Sequence, residues 1–322
     1  MSGMASAPPR LRDLLPPGLR RLARTALRSA VDAVPPLARA RDARRQRRRM
    51  RAALGYEPDF RNPRTFNERI ARKILYDRDP LLVRTADKIA VRDFVAARIG
   101  AEYLVPLIGT WDRAADIPWD ALPDRFVLKA NHGSGTNLIV TDKATVDRAA
   151  VLEQADRWLR ENHYEWTGEW AYSRIRPRLL AEEMLVGPRG VPEDFKYYVF
   201  GGRPRVIEVH LDRFGHHLNL CYDTDLNPLP FRSGASGWLL PAEADYTPPP
   251  EARGMAALAA RLGAGFDFVR VDLYLVGGRA WFGELTHYVA NACDRFEPPE
   301  WDRILGDMWG EGVAEAGAAP RA

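Results

Sequence analysis

Short β-rich runs alternate with amphipathic helices along most of the chain, and this alternation constrains the fold more than any other feature of the sequence. Runs rich in Val, Ile, Leu, Phe and Tyr recur from Leu104 onward, with Gly or Pro at many of the turns between them. Helical spacing predicts helices over residues 65–75, 87–99, 146–162 and 250–262. This mixture favours an α+β or α/β architecture over a helix bundle or a β-sandwich.

The predicted strands are residues 104–108, 126–130, 138–141, 179–185, 195–200, 205–211, 268–275 and 280–285. A compact turn, Gly201-Gly202-Arg203-Pro204, joins the fifth and sixth of them, and Gly277-Gly278 joins the last two. The first helix has Thr65 at its N-cap and Glu68 three residues later, which is the pattern of a capping box. Gly100 is the expected C-cap of the second helix.

The chain has 322 residues, of which 46% are hydrophobic. It is therefore long enough to bury a core, which excludes wholesale disorder and a minimal binding module. No run approaches the roughly 18 apolar residues of a membrane span, and the first residues lack the apolar core of a signal peptide. These features predict a cytoplasmic protein. Cys221 and Cys293 lack the spacing of a zinc site and are interpreted as ordinary thiols.

Charge is distributed unevenly along the chain. Residues 1–51 contain fourteen Arg against three Asp, a net charge of +11, so residues 52–322 carry −7 within the total of +4. Leu19 to Val34 predicts a basic amphipathic helix, and a second Arg-rich segment follows over residues 38–54. Two interpretations stay open: attachment to an anionic membrane or acidic polymer, and packing on the body of the protein. The acidic body argues against nucleic acid as the partner.

Lysine is scarce in this chain. Only five of the 47 basic residues are lysine: Lys73, Lys88, Lys129, Lys143 and Lys196. A sequence that uses arginine for most positive charges indicates that each remaining lysine is a candidate for a site needing a compact ammonium on a flexible stem.

A strand, a loop of small residues and a second strand occupy residues 126–141. Gly133, Ser134 and Gly135 let backbone N–H groups approach a phosphate closely, and Lys129 at the end of the first strand can neutralise it. The loop leads into a strand rather than a helix, so neither the P-loop nor the Rossmann fingerprint fits. A plain hairpin is the alternative interpretation.

Charged residues also mark the last two predicted strands. Arg270 and Asp272 alternate onto one face, and pairing of adjacent strands brings Glu284 near them. Two carboxylates and an arginine on one face suit Mg²⁺ and phosphate oxygens. A structural ion pair is the alternative.

With these residues in place, the chain resembles the ATP-grasp superfamily, and within it the branch associated with teichuronopeptide and other cell-surface polymer biosynthesis. The resemblance covers roughly residues 62–310; its most specific pieces are residues 86–92, 126–141, 181–185, 194–200, 269–273 and 282–286. It implies an α+β ATP-grasp fold of two α+β lobes with the nucleotide between them. The expected domains are a basic extension over residues 1–55, a helical region over 56–115, a small lobe over 116–190, a large lobe over 191–312 and a flexible tail over 313–322.

The resemblance also implies a role for each matching position. ATP-binding residues would be Lys88, Lys129, Gly133, Ser134, Gly135, Glu182, Glu183, Met184, Leu185 and Asp194. Lys196 would face the γ-phosphate, Arg213 would lie near the acceptor, and Arg270 would steady the transferred phosphoryl group. Asp272 and Glu284 would bind Mg²⁺. Relatives often continue the last strand as Glu-x-Asn, whereas this chain has Thr286, so Thr286 and Asn291 are both candidates for the third ligand.

Histidine adds little to this assignment. Only His132 and His287 fall near the proposed site, and polar loop positions explain both as well as catalysis does. No Gly-x-Ser-x-Gly signature is present, which argues against a hydrolase.

The resemblance implies an ATP-dependent carboxylate–amine ligase that uses an acylphosphate, releases ADP and phosphate, and acts in surface-polymer or peptide-conjugate biosynthesis. Its partners would be a small-molecule, glycan or peptide acceptor with a carboxylate and an amine donor, and its place the cytoplasm, including the inner membrane surface. The alternatives are a glycosyltransferase-like enzyme and a non-catalytic nucleotide-binding scaffold. Asp223-Thr-Asp225 has the letters of a glycosyltransferase metal motif but is interpreted as a loop.

Overall fold

The computed structural model describes residues 34–187, 190, 192–211, 217–234 and 240–318. The predicted helix over residues 19–34, except for Val34, and the predicted acceptor residue Arg213 lie outside this part. The described residues from Arg49 onward belong to one compact unit, which contains both sheets and the site.

Eight α-helices lie in the described residues: α1 Pro35–Leu54, α2 Phe66–Tyr76, α3 Pro80–Ala86, α4 Val91–Arg98, α5 Arg148–Arg160, α6 His163–Thr167, α7 Glu251–Gly263 and α8 Glu300–Ala318. The capping box of α2 is confirmed, because Thr65 Oγ1 accepts from the backbone of Glu68 while the Glu68 carboxylate accepts from Thr65 N. The helix predicted from residue 87 starts later, at Val91. Its first residues form a turn, since the Asp87 carboxylate accepts from the backbone N–H of Ile89 at 2.8 Å.

A four-stranded antiparallel sheet contains β1 Leu107–Trp111, β2 Phe126–Ala130, β3 Asn137–Val140 and β4 Leu179–Glu183, in the order β1-β4-β2-β3. Alternate residues of β2 are buried, and the apolar face of this sheet packs in one cluster with Trp158 of α5. The first strand was predicted three residues too early. Pro106 has no N–H for a ladder, and regular pairing begins after it.

A five-stranded antiparallel sheet contains β5 Glu193–Phe200, β6 Arg203–Leu211, β7 Leu218–Tyr222, β9 Phe268–Val276 and β10 Arg279–Thr286, in the order β10-β9-β5-β6-β7. Two short strands, β8 Arg232–Ser233 and β11 Phe296–Glu297, pair with each other. The predicted hairpin turns between β5 and β6 and between β9 and β10 are confirmed. Together the two sheets and their helices confirm the α+β class.

The two faces of the five-stranded sheet have different neighbours. On one face, Tyr197 donates to the carbonyl of Ala252 in α7 at 2.7 Å. On the other, an aromatic group joins the sheet to α2 and α8: the ring of Phe66 lies 5.0 Å from that of Phe268, which stacks on Trp309 at 4.7 Å. Farther along this second face the side chains become polar, so the helices leave that end open for a site.

Observed elements or contacts cross three of the predicted domain boundaries. β1 precedes residue 116, the predicted start of the small lobe, yet it pairs with β4 in the four-stranded sheet. α8 continues through most of the predicted tail, to Ala318. Within the predicted extension, Arg49 donates to the carbonyls of Trp166 at 2.6 Å and Thr167 at 3.2 Å.

Two further findings concern membranes and thiols. No helix in the described ranges has both the length and the apolar character needed to cross a bilayer. Cys221 and Cys293 are free thiols.

Candidate functional site

A cavity of about 440 Å³ is lined by residues from both sheets. It brings together most of the predicted site residues: Lys88, Lys129, Ser134, Gly135, Glu182, Glu183, Met184, Leu185, Asp194, Lys196, Asp272 and Glu284. Within each sheet, strand pairing brings together cavity residues that are distant in sequence. The cavity therefore unites the two charge patterns found separately in the sequence.

The four-stranded sheet contributes Lys129, whose ammonium donates to Glu182 Oε2 at 2.7 Å. Residues 127 and 182 pair across β2 and β4, so this contact is diagonal to a ladder pair. The other oxygen of Glu182 accepts from Arg92 Nη1, also at 2.7 Å. One carboxylate thus holds two cations at the edge of the cavity.

Lys88 lies beside the loop of small residues. Its ammonium donates to the carbonyl of Gly133 at 2.6 Å, and its backbone N–H donates to Asn131 O at 3.1 Å. Burial lowers the pKa of Lys88 and the charge of Lys129 lowers it further, against an opposing effect of Glu284. Two ammonium groups therefore share the cavity, an arrangement that favours an anionic ligand.

The loop has a shape that requires glycine. Gly133 has φ +98° and Gly135 has φ +73°, in the region that side chains with a Cβ rarely adopt. A Cβ added to Gly133 would lie 3.0 Å from Nδ1 of His163. Asn131 fixes the start of the loop, donating to Asp87 Oδ1 at 3.0 Å. The backbone of this loop can therefore approach a ligand closely.

The five-stranded sheet supplies a row of charged residues in register. Glu284 pairs with Asp272, and Asp272 pairs with Lys196. Lys196 Nζ donates to Asp272 Oδ2 at 2.6 Å and to Asp194 Oδ2 at 2.7 Å. Arg270 donates two hydrogen bonds to Asp272, from Nε to Oδ1 at 2.7 Å and from Nη2 to Oδ2 at 2.8 Å. The predicted proximity of Arg270, Asp272 and Glu284 is confirmed.

These contacts set the charge states of the row. Burial alone would lower the pKa of Lys196, but Asp194 and Asp272 raise it above its usual value. Burial and Asp272 raise the pKa of Glu284, yet Lys88, Arg270 and Lys196 outweigh them and the pKa is lowered. The raised pKa of Lys196 keeps its ammonium charged at neutral pH, and the lowered pKa of Glu284 keeps its carboxylate ionised.

Asp272 and Glu284 are two carboxylates of the cavity that could hold a magnesium ion. Mg²⁺ prefers hard oxygen ligands and is commonly held by one or two carboxylates together with phosphate oxygens. Thr286 Oγ1 donates to Glu284 Oε1 at 2.9 Å, so its hydroxyl belongs to this group. The side-chain amide of Asn291 instead donates to Glu169 Oε1 at 2.7 Å and to Thr167 O at 3.1 Å. No cluster of three His, Cys, Asp or Glu residues suited to a metal occurs in the part of the chain that the structure describes.

Several other candidates have structural partners. Lys143 donates to backbone carbonyls of residues 119, 120 and 122, and Lys73 pairs with Asp77 and Asp267. His132 Nε2 lies 3.1 Å from Glu161 O, and His287 Nε2 lies 2.8 Å from Thr85 Oγ1. Asp223 accepts from the backbone N–H groups of residues 225 and 227, which identifies its Asp-x-Asp pattern as a turn.

The sequence analysis missed two groups of polar side chains, one on each sheet. One is the side chain of Glu182, assigned to a backbone role, which links Arg92 to Lys129. The other is a group formed by Glu208 and His210 of β6 and by His217, which directly precedes β7. Alternation within β6 was the available signal, since residues opposite Lys196 and Asp194 project to the same face.

Comparisons with known proteins give a family and a set of distant structural likenesses. The model of the family described as TupA-like ATPgrasp matches residues 68–309. No curated protein matches the sequence.

Solved structures resemble the chain at low identity. D-alanine–D-alanine ligase from Bacillus anthracis, complexed with ATP, has a TM-score of 0.41 and 13% identity over 74% of this chain and 68% of that one. ATP-grasp ligase PsnB, complexed with a minimal precursor, Mg and ADP, has a TM-score of 0.37 and 14% identity over 78% of this chain and 62% of that one. N5-carboxyaminoimidazole synthase from Aspergillus clavatus has a TM-score of 0.35 and 11% identity, over 69% and 46%.

Proposed function

Since the chain belongs to the TupA-like ATP-grasp family, we propose that it is an ATP-dependent ligase that joins a carboxylate to an amine through an acylphosphate. One observation carries the proposal: Lys88 and Lys129 share a single cavity with the row formed by Lys196, Asp272 and Glu284. Cations and carboxylates that converge on one cavity suit a polyphosphate and its metal.

The cavity supports a division of roles along the nucleotide. Lys88 and Lys129 would hold the phosphates, with residues 133–135 folding over them. The backbone of residues 182–185 would read the base, and Glu183 or Asp194 would accept the ribose hydroxyls. Glu182 adds a further role, because its carboxylate keeps Lys129 and Arg92 together until phosphate replaces it as the partner of Lys129.

The metal ligands in this proposal are Asp272, Glu284 and Thr286. When bound, Mg²⁺ neutralises charge on phosphate oxygens and orients them for in-line transfer. Thr286 is preferred to Asn291 as the third ligand because its hydroxyl contacts Glu284, whereas the Asn291 side chain is bound to Glu169.

The chemistry then has two steps. The substrate carboxylate attacks the γ-phosphorus of ATP, forming an acylphosphate and releasing ADP. An amine attacks the acyl carbon, the C–N bond forms, and phosphate leaves. Arg270 and Lys196 would stabilise the charge that develops on the transferred group, since both are cations that donate to Asp272.

A magnesium-dependent assay of ADP release, run over a panel of carboxylic acids and amines, tests the proposal. Release that requires both an acid and an amine supports a ligase. Thermal-shift measurements with ATP–Mg²⁺ and with UDP-sugars separate the competing functions. Stabilisation by a UDP-sugar alone would favour a glycosyltransferase, and stabilisation by ATP–Mg²⁺ without turnover would favour a non-catalytic scaffold.

The proposal extends to where the ligase acts. The family resemblance supports a role in surface-polymer biosynthesis, at the cytoplasmic face of the membrane. α1 has exposed arginines at positions 39, 44 and 48, and six more arginines lie in residues 1–33. Such charge density suits an anionic lipid surface or an acidic glycan acceptor.

A further inference from the structure

A buried carboxylate, Glu169, links α6 to the segment that follows β10. Glu169 is 5% exposed, and it is not among the residues that line the cavity. Its Oε1 accepts from Nδ2 of Asn291 at 2.7 Å, and its Oε2 lies 3.2 Å from Nε2 of His163. One carboxylate therefore connects two residues that come from distant parts of the chain.

The turn over residues 289–292 holds Asn291 in an unusual conformation. Three consecutive residues centred on Asn291 have φ of +46°, +50° and +60°, in the left-handed region that residues with a Cβ rarely adopt. Such a turn is costly and persists where surrounding contacts fix it. Nδ2 of Asn291 also donates to Thr167 O at 3.1 Å, and Arg49 donates to its Oδ1. The contact with Arg49 identifies the amide oxygen, so Nδ2 is the atom that faces Glu169.

His163 passes this restraint to the loop over residues 133–135. It is the first residue of α6, and a Cβ added to Gly133 would lie 3.0 Å from its Nδ1 and 3.2 Å from its Cβ. His163 therefore fills the space that a side chain at position 133 would take. The ring of Tyr172 packs edge-on against the ring of His163, with 4.8 Å between the centroids. Because groups packed this closely leave little room to move, a displaced His163 would displace the loop.

The carbonyl of Gly133 is the point at which these contacts reach the cavity. Lys88 donates to this oxygen at 2.6 Å, and Lys88 lines the cavity together with Ser134 and Gly135. The positions of the Lys88 ammonium and of the loop N–H groups thus depend on where His163 holds Gly133.

We propose that Asn291, Glu169 and His163, here called the loop support, position the loop over the triphosphate of ATP. The inference rests on the proposed ligase function, in which Lys88 and residues 133–135 hold the phosphates. None of the three residues lines the cavity, so they act through the loop and Lys88 as positioning residues.

The loop support also has a consequence for the metal. Asn291 follows β10, the strand that carries the proposed metal ligands Glu284 and Thr286. The loop support therefore ties the loop to the strand that would hold Mg²⁺. A phosphate held by both must be placed accurately for transfer, because small displacements of reacting groups are costly in rate.

The test combines two substitutions in the full-length protein. Asn291→Gly removes the side chain and keeps the left-handed turn, since glycine adopts positive φ readily. His163→Ala removes the ring beside Gly133. For each variant we expect the affinity for ATP–Mg²⁺, measured by calorimetric titration, to fall by about tenfold. In the double variant the loss should stay near tenfold rather than reach about a hundredfold, because Asn291 acts through His163.

A second variant and a kinetic measurement separate positioning from general damage. Asn291→Asp also tolerates the turn, and repulsion between its carboxylate and that of Glu169 should weaken ATP–Mg²⁺ binding at least as much. In the magnesium-dependent assay of ADP release, the KM for ATP should rise by about tenfold in both Asn291 variants. The KM values for the acid and the amine should stay at those of the wild type.

Asn67→Ala is the matched control. Asn67 is a buried amide that holds the chain just after the same turn: its Nδ2 donates to Asp294 O, and its Oδ1 accepts from Asp294 N, both at 2.9 Å. Its loss should lower the melting temperature and leave the affinity for ATP–Mg²⁺ unchanged. Melting temperatures of the other variants establish that they fold.

Three results would overturn the inference alone. Losses of affinity that multiply in the double variant would show that Asn291 and His163 act independently. A tenfold loss in Asn67→Ala would show that any weakening of this region affects nucleotide binding. A higher magnesium requirement at saturating ATP in Asn291→Gly would identify Asn291 as a metal ligand. A wild type that binds no ATP–Mg²⁺ would contradict the proposed function, and the inference with it.

Discussion

The two sheets hold their cations in different ways. On the four-stranded sheet, the side chain of Lys129 is 22% exposed and has one carboxylate partner, Glu182. On the five-stranded sheet, the side chain of Lys196 is 4% exposed and lies between Asp194 and Asp272. Asp272 in turn accepts from Arg270 as well. One side of the cavity is thus a largely buried network of ion pairs, and the other has a cation with a single carboxylate partner.

This difference has consequences for ligand binding. A buried network is costly to break, since removal of one partner leaves an uncompensated charge away from water. It therefore provides a rigid surface on which a phosphate and its metal are positioned. Lys129, whose side chain is partly exposed, loses little when phosphate replaces Glu182 as its partner. We interpret the five-stranded sheet as the preorganised side and the four-stranded sheet with its glycine loop as the adaptable side.

The largest effect is expected from Glu284→Gln and Asp272→Asn, which each remove a charge from the proposed magnesium site. Magnesium-dependent ADP release should fall by about 10³-fold or more in both. Their stabilities should differ: Asp272→Asn leaves Arg270 and Lys196 short of a buried counter-charge and should lose about 3 kcal/mol. Glu284 lies at the end of the row, with a side chain that is 40% exposed, so its variant should melt near the wild-type temperature.

Activity and urea unfolding of the two variants check this prediction together. Full activity in either variant would contradict the metal assignment. Equal stability would contradict the distinction between a fully paired interior carboxylate and one at the edge of the row.

The next effect concerns Asp294, for which no ion pair is found among the described residues. Burial and the nearby charge of Glu208 raise the pKa of Asp294 to about 7, from an ordinary value of 3.8. Its proton is bound more tightly in the folded state, so its contribution to stability is full below about pH 4 and is lost as pH rises through 7. Asp294→Asn keeps the acceptor for Gly234 N without this loss.

The free energy of unfolding of Asp294→Asn, relative to the wild type, should therefore increase by a few kcal/mol between pH 4 and pH 8. Parallel urea titrations of the two proteins at several pH values measure it. A difference that is independent of pH would show that Asp294 ionises normally in the folded protein.

The site residues of the preorganised side were easier to predict from sequence than those of the adaptable side. Register and alternation follow from the β period, so the meeting of Arg270, Asp272 and Glu284 could be read from residue spacing. Scarcity of lysine also selected Lys88, Lys129 and Lys196, all of which line the cavity. The same rule selected two lysines that bind structural partners, because a compact ammonium also suits buried ion pairs and backbone carbonyls.

Contacts across separate elements could not be predicted in this way. Arg92 and Glu182 lie ninety positions apart, and only the tertiary fold brings them together. His210 and His217 were passed over because they lie outside the matched motifs. Asn291 has φ +50°, and the turn around it determines which partner its side chain reaches. Tertiary packing, rather than local pattern, fixes these positions.

Lys129→Ala tests the adaptable side, with a smaller expected effect. Loss of one hydrogen bond from a charged group should weaken ATP–Mg²⁺ binding by about tenfold or more. Lys129→Arg should be nearly as damaging, because a planar guanidinium is bulkier where the loop closes. Both variants should keep the wild-type melting temperature, since Lys129 is half-buried with one partner. Calorimetric titration measures the affinity, and wild-type affinity in the Arg variant would argue against the phosphate role.

The smallest effect on catalysis is expected from deletion of residues 1–33, which lies outside both sides of the comparison. The deletion removes six Arg and two Asp, a net charge of +4, and none of the residues that line the cavity. It stops short of Arg49, whose contacts with residues 166 and 167 a longer truncation would break. ADP release with soluble substrates should be unchanged. Retention on anionic liposomes should be weaker for the deletion than for the full-length protein, and the retention of the full-length protein should decrease with salt, as screened attraction requires.

A full-length control with those six arginines changed to glutamine should behave like the deletion if charge is the cause. A lower melting temperature, with liposome binding absent or insensitive to salt, would instead support packing of this segment on the body.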